Sequence, residues 1–537
     1  MIYSLTREFN AHERWLCALQ NNFLFAINEQ REFFVLENDQ HSRELLSRFI
    51  QKRNCFIEWG NTVGNWCHRT LGIFPAVMNM SNLERKVSYE LICARMGINQ
   101  IHHASNYKNN CALHAQNLLQ IYTDYMKPRV DMIFTLSQNY NQNFLNTLPS
   151  MIIEKLSMLQ PQYTEPCLEF YYQPPKALYF KHPVLKKLLE DVLSCPFKVV
   201  NGKITHEKLP HVLKFGTTEC KFGVGGFHGF SPDICGTSLP FCRLVDWDVG
   251  SYYPSLVCFD PVLVSILGKD FVREYNHIRE TRLSVKKSNP SLANGLKLIL
   301  NALTGKLNDK TSRFYNPQAY IQITVTGQLY LLMVADFCIS MGIPFLSLNT
   351  DGITLVDDDT LKSKTILDYI SSLTNLTFED TYYQKYYGRD VNAYFAIKDH
   401  GIKGKNIFSF ERLTNKNCNG LAVNYLIKQC LLNGGKPADY IKDVPVTDFL
   451  DIGCCTATNE CLRFYRSVNA DGKLTFGNGR AVPNGGGCVV LDQYQPAESI
   501  LADLDYDYYI ETAQQALDTI VPLVNRTYER LFENQSI

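Results

Sequence analysis

Three short stretches in the middle of the chain constrain it more than any other feature. They are Val245-Asp246-Trp247-Asp248-Val249-Gly250-Ser251-Tyr252-Tyr253-Pro254-Ser255, Lys297-Leu298-Ile299-Leu300-Asn301-Ala302-Leu303-Thr304-Gly305 and Leu348-Asn349-Thr350-Asp351-Gly352. The first reads as a buried strand, Arg243 to Asp248, with a turn at Gly250. The third reads as two apolar strands, Pro344 to Asn349 and Ile353 to Val356, around a hairpin that presents Asp351 at its tip. The second reads as a helix on which Lys297, Asn301 and Thr304 share one face at i, i+4 and i+7. Carboxylates from separate strands, with a cation nearby, are what phosphoryl transfer by two metal ions requires. Asp246 points to the same strand face as Asp248, and a structural role is favoured for it over a direct one. Asp357, Asp358 and Asp359 read as a solvated acidic turn, and His228 as a packed histidine.

Charge sharpens this reading. Lysine plus arginine and aspartate plus glutamate number 53 each, so the chain is formally neutral, which by itself argues against a partner as anionic as nucleic acid. The distribution is uneven, however. Between Phe271 and Arg313 lie Arg273, Arg279, Arg282, Lys286, Lys287, Lys297, Lys306, Lys310 and Arg313 against only Glu274, Glu280 and Asp309. Two antiparallel helices are expected there, Lys269 to Lys287 and Ser291 to Lys306, separated by Ser288-Asn289-Pro290. On the first, Arg279, Arg282 and Lys286 line one face.

The three stretches resemble the polymerase motifs of family B DNA polymerases, with wording nearest the compact bacteriophage type. The first is similar to Asp-x-x-Ser-Leu-Tyr-Pro-Ser, the second to Lys-x-x-x-Asn-Ser-x-Tyr-Gly and the third to Asp-Thr-Asp-Ser. The likeness is good from about Phe222 to Phe410 and loose elsewhere. The departures are Asn349 for the first aspartate of the third motif, Gly352 for its serine, and Ala302 and Thr304 in the second. The resemblance implies an α+β right hand of palm, fingers and thumb behind a degenerate exonuclease-like, RNase H-like α/β domain. It places that domain at 1–125, a helical and linker region at 126–215, palm at 216–268 and 307–410, fingers at 269–306 and thumb at 411–537. The implied activity is template-directed extension of a primer 3′ end with dNTPs.

Residue by residue, the resemblance implies that Asp248, Asp351 and the Val249 carbonyl hold two Mg²⁺ ions, with Mn²⁺ as the alternative. Tyr253 stands where the family keeps its sugar-selecting tyrosine. Lys297 would hold triphosphate oxygens, Asn301 and Gly305 would meet the nascent base pair, and one or two of Arg279, Arg282 and Lys286, Arg282 first, would clamp the outer phosphates. Gly225 and Gly226, in Phe222-Gly223-Val224-Gly225-Gly226-Phe227-His228-Gly229, would contact the template, with a tight structural turn the equal alternative. Asn392, Tyr394, Lys403 and Lys405 would track the minor groove, and Arg463-Phe464-Tyr465-Arg466-Ser467 with a helix from Tyr508 to Ile520 would form the thumb.

At the amino-terminal end, strands are expected at Asn22 to Asn28, Glu32 to Glu37 and Asn54 to Trp59, with an amphipathic helix from Ser42 to Lys52. This order fits a nuclease-like fold, but no Asp-x-Glu lies on the early strands and no aspartate in the helix around Cys111 to Tyr122. The expectation is a remnant that folds without cutting, so no 3′-5′ proofreading; an unrelated domain is the alternative. From Leu118 the residues Leu119, Tyr122, Met126, Val130 and Ile133 recur on one helical side, with Pro128 expected to kink or divide the segment.

The eighteen cysteines are scattered without framework spacing, which suggests reduced, buried thiols rather than disulfides or a zinc ribbon. No apolar run of membrane-spanning length and no leader is expected, hence no membrane partner, and a cytoplasmic location (host cytoplasm if virus encoded). The implied partners are primer-template DNA, dNTPs and replication accessory proteins. Short spacings between motifs favour a nucleic-acid primer over a protein one. Two rival readings stand beside this: a reverse transcriptase-like enzyme, which would pair adjacent aspartates in the hairpin, and a catalytically retired polymerase fold that only binds DNA or a protein.

Overall fold

The computed structural model describes the chain except residues 1–7, 21–22, 60–61, 81–82, 84–110, 163–164, 207–208, 210–211, 216–217, 231–234, 238–241, 359–361, 391–392, 406–407, 409–420, 450, 457–458, 466–478, 482–487, 492–503 and 520–537. The chain is a mixed α/β protein that divides into two compact units. One comprises Met1–Pro149 with Phe410–Ala513, the other Ser150–Ser409 with Gln514–Ile537.

The first unit opens with strands β1 (Arg14–Gln20), β2 (Phe23–Ile27) and β3 (Phe33–Leu36), helix α1 (Gln40–Gln51), β4 (Cys55–Glu58), α2 (Val63–Leu71) and β5 (Ala76–Asn79). The sheet order is β3-β2-β1-β4-β5. β1 and β2 are antiparallel and β4 joins β1 in parallel. That parallel pairing needs a crossover, which α1 supplies. Asp39 starts α1 by accepting the Ser42 amide at 2.6 Å, and Leu45, Leu46 and Phe49 bury against Trp15, Phe34 and Phe56. The central strand β1 was not anticipated: its run Trp15-Leu16-Cys17-Ala18 is buried without a break, so it shows none of the alternation that marks a half-exposed strand.

Helix α3 (Cys111–Ile121), a π-helical turn (Tyr122–Met126) and α4 (Lys127–Asn139) follow as one continuous rod. Leu119, Tyr122, Met126, Val130 and Ile133 are all buried, as their spacing predicts. Pro128 sits in the first turn of α4, where its missing N–H costs little, and the wider turn ahead of it absorbs the break. Residue 125, expected to end the amino-terminal domain, therefore falls inside this rod, and the first unit runs on to Pro149.

The second unit begins with a small sheet, β6 (Glu169–Tyr171), β7 (Pro196–Val200) and β8 (Lys203–Thr205), with α5 (Pro183–Ser194) between its first two strands. Its main sheet has seven strands, built from β9 (Val212–Phe215), β10 (Thr218–Lys221), β11 (His228–Phe230), β13 (Cys242–Val249), β14 (Phe345–Asn349), β15 (Gly352–Asp358) and β16 (Phe378–Tyr383). The order is β16-β13-β15-β14-β11-β10-β9, so β13 lies between the hairpin strand β15 and β16. A second sheet joins β12 (Cys235–Thr237) to β17 (Lys385–Asp390), β18 (Ala393–Ile397) and β19 (Ile402–Gly404).

The helices of this unit are α6 (Tyr252–Phe259), α7 (Pro261–Leu267), α8 (Lys269–Val285), α9 (Pro290–Leu307), α10 (Pro317–Ser340) and α11 (Lys362–Thr374). The expected pair in the basic region is present as α8 and α9, and Asn289 caps α9 through the Leu292 amide. Contrary to expectation, α10 is long and apolar enough to span a membrane, with mean hydropathy 1.5. Its apolar window is 89% buried inside the protein, and Gln322, Thr324, Thr326 and Gln328 are buried along it with hydrogen-bond partners. It is the core helix of this unit.

The acidic turn expected at Asp357 to Asp359 is corrected in part. Asp357 belongs to β15, is 3% exposed and accepts from the amide and hydroxyl of Ser363 at the start of α11, so its charge serves a helix N-terminus. The Asp358 side chain and Asp359 lie outside the described residues, as does Asn392.

The remainder of the first unit contains α12 (Leu421–Asn433), a four-stranded sheet of β20 (Asp451–Thr456), β21 (Asn459–Tyr465), β22 (Gly479–Ala481) and β23 (Cys488–Leu491), and α13 (Tyr506–Asp518) as far as Ala513. Arg463 to Tyr465 fall on β21, whereas Arg466 and Ser467 lie outside the described residues. The Tyr509 hydroxyl anchors α13 to the Phe449 carbonyl at 3.1 Å. Among the described residues nine cysteines are free thiols, most of them buried.

Candidate active site

The hairpin β14–β15 and strand β13 bring the two acids together. In the β13–β15 ladder Asp248 lies opposite Gly352, and the Val249 amide donates to the Asp351 carbonyl at 2.7 Å. A side chain at 352 could not be accommodated: its Cβ would stand 2.6 Å from Asp248 Oδ1 and 2.8 Å from the Trp247 carbonyl. Glycine replaces the expected serine here because the Asp248 carboxylate needs the space.

Asp248, Val249 and Asp351 floor a cavity of about 650 Å³, whose walls include Tyr253, Arg282, Lys286, Lys297, Asn301 and Lys405. The helix face read from the sequence is thus turned inward: Lys297, Asn301 and Thr304 all reach the cavity. Four of the nine local cations are engaged elsewhere. Arg273 pairs with Asp270 and Glu274, and Lys306 and Arg313 pair with Glu154. Arg279 is buried, donates to Ser255 Oγ at 3.2 Å and lies on the Phe259 ring, so it braces α8 against α6 rather than facing the cavity. Arg282 donates to Ser251 Oγ, and that contact holds a non-glycine residue at φ 52° where β13 turns into α6. Lys286 makes an ion pair with Glu379 at 2.8 Å. Glu379 faces Asp248 in the β13–β16 register and lines the cavity; no motif signalled it.

Tyr253 is fixed by its neighbours. Its ring stacks on Tyr252 with centroids 5.8 Å apart, and the Tyr252 hydroxyl donates to the Gly327 carbonyl at 2.6 Å. A Cβ at Gly327 would approach Tyr253 Cε1 to 3.2 Å, so this glycine of α10 makes room for the ring. A lone glycine inside a long apolar helix was the available signal for it.

Gly225 and Gly226 do not line the cavity, and their turn is clamped to α10. Gln328 donates to the carbonyls of Gly223 (2.6 Å) and Gly225 (3.0 Å), and Thr324 to that of Val224 (3.1 Å). These bonds fix the shape of the turn through its carbonyls. The turn meets the hairpin all the same, since a Cβ at Gly226 would be 3.0 Å from Thr350 Oγ1. His228, read as packed, is held below its ordinary pKa by burial and hydrogen-bonds Asn349. Asn349 also accepts the Thr350 amide at 2.9 Å. Its amide is therefore a brace for the hairpin.

Lys403, expected to track the minor groove beside Lys405, lines the cavity. Its ammonium lies 3.0 Å from Asp246 and 4.0 Å from Asp248. Lys405 lines the same cavity, above the Tyr394 ring.

Burial first, then the neighbouring charge of Asp246 and, after the opposing pull of Lys403, that of Asp351 push the Asp248 carboxyl up to about 6. Ionising it is thus harder in the folded chain than in the unfolded one. The penalty is absent below about pH 4, grows toward pH 6 and is complete above it. Asp248→Asn is therefore expected to raise the melting temperature of the metal-free protein at pH 7.5, by roughly 1–3 °C, and to leave it unchanged at pH 4. Thermal unfolding in a chelator at both pH values checks this.

Carboxylate oxygens in a crowded, like-charged group are hard donors that suit Mg²⁺ or Mn²⁺. Among the described residues no three His, Cys, Asp or Glu side chains converge as a ligand set. Two carboxylates suffice for Mg²⁺, which keeps waters and takes substrate phosphates as its other ligands.

No family model matches the chain, and no curated protein does. Among solved structures, the chain is similar to the family B DNA polymerase of the hyperthermophilic archaeon Pyrobaculum calidifontis, with a TM-score of 0.46 and 10% identity, over 96% of this chain and 78% of that one.

Proposed function

We propose that the protein is a DNA polymerase that adds dNTPs to a primer 3′ end under template direction. The observation that carries this reading is the convergence, in one cavity, of Asp248 on β13 and Asp351 at the tip of the adjoining hairpin with Lys297, Arg282 and Tyr253 on three different helices. Asp248, Asp351 and the Val249 carbonyl would hold the Mg²⁺ ions, which supply activation of the 3′-hydroxyl and charge neutralisation at the departing pyrophosphate. Lys297, exposed on α9 and without an ion pair among the described residues, is free to take triphosphate oxygens. Arg282 adds a second cation and steadies the Ser251 turn. Lys286 reaches phosphate only by leaving Glu379. Asn301 lies one helical turn beyond Lys297, on the side where a base pair would stack. Tyr253, wedged between Tyr252 and Gly327, presents a rigid wall to the sugar.

In this reading the main sheet of the second unit is the palm, α8 and α9 the fingers, and 411–537 the thumb. Gly225, Gly226 and Lys405 flank the duplex. The amino-terminal sheet is the exonuclease-like remnant. Glu58 is the one acid on β1–β5, and it is spent on the amides and hydroxyl at the start of α2. Asp131 on α4 is paired with Arg14. Carboxylates so engaged are poor metal ligands, which supports polymerisation without proofreading.

Purified protein with Mg²⁺ and dNTPs is expected to extend a labelled hairpin primer, and without dNTPs to leave a mismatched 3′ end intact for hours. Excision of the mismatch would contradict the remnant, and absence of any extension would favour the retired-fold alternative.

A further inference from the structure

Asp246 is a buried acid, 7% exposed, two residues from a proposed metal ligand, yet both of its oxygens are already engaged. Oδ1 accepts from Thr354 Oγ1 at 2.8 Å. Oδ2 accepts from the Tyr383 hydroxyl at 2.6 Å and from Lys403 Nζ at 3.0 Å. The Lys403 ammonium also donates to the Tyr383 hydroxyl at 3.1 Å and lies 5.9 and 5.8 Å from the Tyr383 and Tyr394 ring centroids. Asp246 and the Tyr383 hydroxyl thus take two of its protons, the Tyr394 side chain is a further hydrogen-bond partner, and Asp248 Oδ2 lies at 4.0 Å. Four strands, β13, β15, β16 and β19, cooperate to fix one positive charge beside the carboxylate that would ligate metal. A lysine meant to grip phosphate needs none of this.

We infer that Asp246 and Lys403 form a built-in counter-charge for the Asp248 and Asp351 carboxylates, and so set how tightly those carboxylates take a divalent cation; this rests on the reading of Asp248 and Asp351 as its ligands. Asp246 is a positioning residue in this device. The three acids and one lysine carry a formal charge of −3 + 1 = −2. Removing the lysine leaves −3, removing the charge of Asp246 leaves −1, and removing both restores −2. Since attraction for a cation a few ångströms away scales with that charge, the affinities should follow the same order.

The test is Mn²⁺ titration of DNA-free protein, with free Mn²⁺ followed by electron paramagnetic resonance and the folding of each variant checked by thermal unfolding. Lys403→Met is expected to bind Mn²⁺ about 5-fold or more tighter than the parent, and Asp246→Asn to bind it weaker by a similar factor. The double variant and Lys403→Arg should stay within roughly twofold of the parent. If Lys403→Met does not fold, Asp246→Asn and the double variant carry the same ordering. The inference is overturned if Lys403→Met leaves Mn²⁺ affinity unchanged and instead lowers the salt slope of duplex binding by about 1, the mark of a phosphate contact. Asp351→Asn separates the two layers. If it binds Mn²⁺ as well as the parent, the ligand reading fails and the counter-charge with it; if it binds weakly while the other variants show no ordering, only the counter-charge fails.

Discussion

Replacing Asp351 by alanine is expected to lower primer extension by roughly 10³-fold or more, about 4 kcal/mol of transition-state stabilisation, with the fold intact. The substitution is structurally mild. Asp351 is exposed at the hairpin tip, and what it gives the hairpin is its backbone carbonyl, which accepts the Val249 amide whatever the side chain. A large loss of rate with an unchanged melting temperature and unchanged duplex affinity would therefore be a loss of chemistry. Asp351→Ala with parental extension would remove Asp351 from the site. Single-turnover extension with saturating dNTP makes the comparison, because it separates chemistry from product release.

The second large effect concerns the sugar. Tyr253→Ala is expected to reduce the preference for dNTPs over rNTPs by roughly 10²-fold, about 3 kcal/mol, while retaining extension with dNTPs. A ring discriminates against a 2′-hydroxyl by occupying its space, and it does so only if it cannot yield. Here the ring is backed by Tyr252, itself tied to Gly327, and α10 approaches it so closely that a methyl at 327 would crowd it. Paired reactions with one dNTP and the matching rNTP give the ratio. An unchanged ratio in Tyr253→Ala would show that another group guards the sugar.

How much of this was legible in the sequence depends on distance along the chain. Asp248, Asp351 and the Lys297-Asn301-Thr304 face were readable because each signal is local: an apolar strand ending in an acid, a hairpin tip and a helical spacing. The basic helices α8 and α9 were readable for the same reason, including the Ser288-Asn289-Pro290 break. Strand β1 escaped because a fully buried central strand has no alternation to see. Pro128 signalled a break but could not say that a π-helical turn would heal it. Asp357 read as solvated since an acid at a strand end gives no hint of the Ser363 amide it will meet.

The least legible features are pairings across long separations. Lys403 lies 157 residues from Asp246, and the motif that marks its neighbourhood suggested a DNA contact. Lys286 is 93 residues from Glu379, and only the β13–β16 register reveals that this acid faces Asp248. Gly352 and Asn349, where the third stretch departs from the motif it resembles, have local roles in the structure: one clears space for the Asp248 carboxylate, the other braces Thr350 and His228.

The most direct test of the central claim is single-nucleotide extension by the parent protein with Mg²⁺, offering each dNTP alone on four hairpin templates that differ only in the first unpaired base. The account predicts incorporation of the complementary nucleotide in each case, dependent on the divalent cation and lost together in Asp248→Ala and Asp351→Ala. Incorporation that ignores the template base, or that survives in both variants, would contradict it.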